Sequence, residues 1–115
     1  MENNKSKQKA RRRTYSESLS ALKKELKALT FEPIYGESMK EIAAKLTAKI
    51  QEIVESYGYE VEFSERARKE IEGDIYYFIY PLKIKTKHST KKIYLEVEYL
   101  LYDENTWMGI VTDVR

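Results

Sequence analysis

The sequence predicts an α+β domain in which two N-terminal helices precede a three- to four-stranded antiparallel meander sheet packed on helix 2. Three observations predict it. Two stretches between Thr14 and Tyr57 carry apolar residues at helical spacing behind capping residues. From Tyr59 onward the apolar period changes to two. The helical stretches also come before the extended ones, an order that suits an α+β layer.

The first element is a tail. Residues 1–13 lack apolar periodicity and bulky side chains, so they read as a disordered basic arm ahead of a single domain over 14–115. The first helix is expected from Tyr15 to Leu29. Thr14 and Glu17 are spaced for a capping box, and Pro33 stops the helix. Tyr15, Leu19, Leu22, Leu26 and Leu29 form a narrow heptad stripe of the kind that packs on one neighbour. The second helix is expected over 38–57. Ser38 and Glu41 form its capping box, Met39, Ile42, Ala43, Leu46, Ile50, Ile53, Val54 and Tyr57 share a face, and Gly58 caps the end.

Tyr59, Val61 and Phe63 alternate with glutamates, which predicts a short strand. Residues 64–72 read as a short helix or charged loop. Residues 75–87 and 92–102 form the clearest hairpin, with Phe78, Tyr80, Leu82 and Ile84 on one face and Ile93, Leu95, Val97, Tyr99 and Leu101 matching them. A His88–Lys91 loop sets Ile84 opposite Leu95, Leu82 opposite Val97 and Lys83 opposite Glu96. Pro81 marks an edge or a bulge. A last strand follows Asp103–Asn105, with Met108, Ile110 and Val114 expected to face the core. On the outer face this register collects Tyr77, Ile79, Leu100, Tyr102, Trp107 and Val111. That is a candidate exposed patch for helix 1, a second copy of the chain or another partner to cover.

The order of two helices and a meander is similar to that of Tctex-type dynein light chains, and the resemblance implies a dimeric adaptor. Residues 64–73 are an insertion against that layout and the family's later motifs are lacking, so no residue is carried over.

Composition bounds the function. The 115 residues suffice for one domain, and 42% are apolar against 35% charged, which is globular. There is no cysteine, so disulfides, thiolate metal sites and thiol nucleophiles are excluded. No secretory h-region and no apolar run near ~20 residues is present, so an intracellular protein without membrane contact is expected, cytoplasmic or, in a eukaryote, nuclear. The 15 Lys and 16 Glu against 3 Asn and 2 Gln suit a thermophilic source, an archaeon or its virus among the candidates, and the Lys, Ile and Tyr content also suits an AT-rich mesophile genome.

Catalytic signals are weak. The single histidine, His88, sits on a hairpin tip between Lys87 and Ser89. Glu96 and Glu98 are two apart on one strand face, within reach of Asp74 or Asp113, and a salt bridge to Lys83 accounts for them better than a metal does. No phosphate loop exists, since the four glycines are scattered. No catalytic residue, metal or cofactor is expected, and the chain reads as a non-enzyme.

Charge gives the leading functional expectation. Residues 1–13 carry six cations and one anion, 6 − 1 = +5, and the remainder carries 15 − 18 = −3. A non-catalytic nucleic-acid-binding protein, a homodimer, is expected. Lys7, Lys9, Arg11, Arg12 and Arg13 of the arm, with Lys85, Lys87 and Lys91 of the hairpin, would contact phosphates. Lys83 and Lys92 extend this ridge and Tyr94 adds a stacking surface. Lysines also guard edge strands, the plainer explanation of the ridge. The rival expectation is a protein-binding adaptor or inhibitor, viral or of host defence, that uses the aromatic sheet patch and helix 1. Its partner or dimer interface would be Leu19, Leu22, Leu26, Leu100, Tyr102 and Trp107.

Overall fold

The computed structural model describes residues 15–63 and 68–115. The first helix, α1, spans Tyr15–Lys27 and ends before Pro33 is reached. Thr30 donates its hydroxyl to the Lys27 carbonyl, and Phe31 turns the chain through a left-handed φ of 64°. The Phe31 N–H then reaches the Val111 carbonyl at 2.8 Å, which fastens the turn to the sheet. A three-residue strand, β1 (Ile34–Gly36), follows. The second helix, α2, spans Met39–Ser56. Ser38 caps it by accepting the Glu41 N–H, while the Glu41 carboxylate reaches back one residue further than a capping box requires, to the Glu37 N–H. Gly58, at φ 77°, takes the left-handed position after the last turn.

Five strands complete the chain: β2 (Glu60–Phe63), β3 (Arg68–Glu72), β4 (Ile75–Lys85), β5 (Thr90–Asp103) and β6 (Thr106–Val114). All pairings between them are antiparallel, in the order β1-β6-β5-β4-β2, with β3 also on β4. The expected three- to four-stranded meander is therefore corrected to a six-stranded sheet, whereas the two helices and the α+β layering stand. The segment read as a helix or charged loop contains β3. Its alternation is hidden because Ile71 is its sole apolar residue, and pairing with β4 decides its conformation. The strand β1 between the helices also departs from the element order on which the dynein-light-chain resemblance rested.

The edge beside β4 is divided. Its ladder with β2 ends at Leu82 and its ladder with β3 begins at Ile79, which leaves Tyr80 and Pro81 between them. Tyr94, opposite Pro81, turns its N–H and C=O to Arg115 on the β6 side. The position where Pro81 lacks a donor thus points into the break, where no ladder bond is lost.

Two registers differ from expectation. In the β4–β5 hairpin Leu82 faces Ile93, Tyr80 faces Leu95 and Lys83 faces Lys92. The turn closes earlier than expected because the Thr86 hydroxyl oxygen accepts the N–H groups of His88 and Ser89, at 3.2 and 3.0 Å. Each strand slides by an even number of residues, so the buried faces survive. In β6, a register shift between Glu96 and Val97 makes both Val111 and Val114 point inward at a spacing of three. Trp107 and Val111 therefore belong to the inner face, and Met108 and Ile110 to the outer.

Both helices lie on the inner face. Leu22, Leu26 and Leu29 of the α1 segment, with Ile42, Leu46, Ile50 and Val54 of α2, pack on Leu82, Ile84, Ile93, Leu95, Val97, Tyr99, Val111 and Val114. Gly109 lets α2 approach: a Cβ there would lie 2.6 Å from Ile42 Cγ2. The hydroxyls of Tyr80 and Tyr99 meet at 2.7 Å inside the layer.

Candidate functional site

The outer face is built row by row from the strand registers. Tyr35, Met108 and Leu100 align across β1, β6 and β5. In the next row Ile110, Glu98, Tyr77 and Glu70 align across β6, β5, β4 and β3. Tyr102 closes the end of the patch, its ring edge-on to Tyr35 at 5.2 Å. Tyr35 is 42% exposed and Tyr102 60%, while Tyr77, Leu100, Met108 and Ile110 are half-buried among one another. Neither helix lies on this face. The Tyr77 hydroxyl is pushed above its ordinary range by desolvation first and then by the carboxylates of Glu98 and Glu72.

The same end of the sheet is apolar on its inner side. Trp107 meets Tyr76 edge-on at 5.8 Å. Lys69 Nζ lies 5.4 Å from the Tyr76 ring centre and 5.8 Å from that of Phe78. Ile71 is 57% exposed and Leu101 51% exposed. Long strands thus carry this end past the layer that the helices cover.

The opposite end holds the lysines, but not as one ridge. Lys85 Nζ is 3.1 Å from the Glu62 carboxylate and Lys83 Nζ is 4.0 Å from it, both on the outer face. Lys92 stands opposite Lys83 and reaches over the Tyr94 ring, 6.0 Å from its centre. Lys91 pairs with buried Ile84, so it belongs to the other face, and Lys87 sits in the turn. Of the expected phosphate contacts, Lys85 and Lys91 are therefore separated by strand parity, with Lys87 in the turn between their strands. Arg115, ion-paired with Glu96 and Asp113, borders this end.

The other expected positions divide clearly. Lys7, Lys9, Arg11, Arg12 and Arg13 lie outside the described residues. Leu22 and Leu26 are fully buried in the chain's own core, and Leu19 is half-buried beside them. Leu22, Leu26 and Leu29 of the α1 stripe are thus occupied within the chain. Leu100 and Tyr102 lie on the outer face as expected, while Trp107 lies half-buried on the inner one. Sequence reasoning missed Tyr35, Met108 and Ile110. The alternation of Ile34 and Tyr35 between Pro33 and Gly36 is a short signal for the first, and the Val111–Val114 spacing is a signal for the other two.

Among the described residues no group of three or more His, Asp or Glu side chains is placed to hold a metal ion. No described helix is long and apolar enough to cross a membrane. Comparison with protein families, with curated proteins and with solved structures gives no match.

Proposed function

We propose that this chain is a non-catalytic binding protein that docks a protein partner on the outer face of its sheet, at the end formed by β1, β3, β6 and the adjoining parts of β4 and β5. The observation that carries this reading is the contiguous set Tyr35, Tyr77, Leu100, Tyr102, Met108 and Ile110 on a face that neither helix covers. Water left on such a surface is displaced favourably by an apolar partner. Tyrosines with a half-buried body and a wet hydroxyl are suited to anchor the contact.

A second reading keeps nucleic acid as the partner. It rests on the +5 arm of residues 1–13 and on Lys92 beside Tyr94, a cation and a ring on one open strand face. Glu62 offsets Lys83 and Lys85, so the arm carries most of this reading.

One experiment separates the two. Tagged full chain, Leu100→Arg, and an Arg11→Ala/Arg12→Ala/Arg13→Ala triple variant are compared by affinity capture from the native source, with and without nuclease. The docking reading expects bound protein to resist nuclease and to fall by about thirtyfold with Leu100→Arg, the equivalent of ~2 kcal/mol for an anchor position. Loss of binding with the arm variant or with nuclease, and none with Leu100→Arg, selects the nucleic-acid reading instead.

A further inference from the structure

Among the described side chains, the charges that border the outer patch rows are of one sign. Glu98 and Glu70 stand opposite Tyr77 on β5 and β3, Glu72 shares the face of Glu70, and Asp103 ends β5 beyond Tyr102 with Glu104 in the turn after it. Among the described side chains, no lysine or arginine shares the outer face of these rows. Lys69, on the same strand as Glu70 and Glu72, turns to the inner face and lies over Tyr76 and Phe78. Of the outer-face cations, Lys83, Lys85 and Lys92 gather at the far end, while Arg115 pairs with Glu96, one row from Glu98.

This distribution discriminates between occupants. A nucleic acid would bring phosphates onto carboxylates. A second copy stacked face to face with matching ends would set carboxylates over carboxylates. Stacked with opposite ends, it would lay the lysine rows on the tyrosines and leave the apolar rows without an apolar counterpart. A segment with an apolar stripe bordered by Lys or Arg satisfies both the patch and its rim.

We infer that the outer face takes a cationic amphipathic segment of another protein, with Leu100, Tyr102 and Tyr77 receiving its apolar stripe and Glu72 and Glu98 its cations. This rests on the docking reading above and adds the chemistry of the partner. Partial exclusion of water around Tyr77 strengthens the attraction of such a cation to Glu98, and added salt weakens it.

The test uses the purified full chain and two labelled helical peptides of about 18 residues, one of Leu and Lys and one of Leu and Glu in the same apolar pattern. Fluorescence anisotropy should show the Leu/Lys peptide binding at least about tenfold more tightly. Glu98→Gln, which keeps the side chain's shape, should narrow that gap, and Glu72→Lys/Glu98→Lys should reverse the order. Leu100→Arg should weaken the Leu/Lys peptide by about tenfold or more. Circular dichroism checks that each variant is folded, and Glu98→Gln serves if the double variant is not. Equal affinity for the two peptides, or a preference untouched by Glu98→Gln, overturns the inference. Failure of both peptides together with self-association that Leu100→Arg abolishes also overturns it, and leaves the docking face with a second copy as its occupant. If Leu100→Arg changes neither assay, the docking face itself falls.

Discussion

At the scale of single residues, the Tyr80–Tyr99 pair is the sharpest feature of the interior. Tyr99 is fully buried, and its hydroxyl meets that of Tyr80 at 2.7 Å. Desolvation raises both hydroxyls above the ordinary tyrosine value of 10.0, and the bond to Tyr80 raises Tyr99 further. A group whose folded value lies above its unfolded one stabilises the fold fully below the unfolded value and loses that contribution as pH rises past it. The melting temperature should therefore be insensitive to this pair below pH 10.0 and fall above it. Tyr99→Phe should flatten that alkaline decline while costing about 1–3 kcal/mol at neutral pH, because the half-buried Tyr80 hydroxyl loses its partner. Equal alkaline slopes for the two proteins, measured by thermal melts across pH, would show that the pair does not titrate with folding. Alternation alone places both tyrosines on the core faces. Their contact was not legible, because it depends on a register that the Thr86 turn sets.

At the scale of elements, the α1 stripe shows what a sequence can and cannot specify. The heptad spacing of Leu19, Leu22 and Leu26 states that one neighbour is packed, and leaves open which chain supplies it. Here the neighbours are α2 and β6 of the same chain, with Leu22 and Leu26 without exposure. Leu26→Ala should lower stability by about 2–5 kcal/mol in urea unfolding without changing the association state. A loss below about 1 kcal/mol would mean that α1 is an appendage rather than part of the core. The strands β1 and β3 were hidden for different reasons. The first is three residues long, and the second, Arg-Lys-Glu-Ile-Glu, has one apolar residue and is held by β4 rather than by its own pattern. The phase of β6 was hidden because a single register irregularity exchanges the faces of everything before it.

At the scale of the whole molecule, three members of the candidate patch were legible from strand alternation: Tyr77, Leu100 and Tyr102. The other half of the site was not, since Tyr35 comes from an edge strand on a distant part of the chain and Met108 and Ile110 from the far side of an irregularity. The division of charge was legible as a sum, +5 in the arm and −3 in the body. Its direction along the outer face, carboxylates at one end and lysines at the other, required the register of five strands. That polarity is why the peptide comparison above tests a property of the assembled sheet and not of any one residue.

The three-residue strand β1 carries one more consequence, for kinetics. The strands β2 to β6 pair with neighbours close in the chain, whereas Ile34 pairs with Gly109, 109 − 34 = 75 residues away. Closing so long a loop for so few ladder bonds gives little return early in folding. β1 should therefore dock after the rate-limiting step. Ile34→Ala should speed unfolding by about fivefold for each ~1 kcal/mol lost and leave the refolding rate unchanged in stopped-flow measurements. A refolding rate that falls by the same factor would place the meeting of the chain's two halves at the barrier itself.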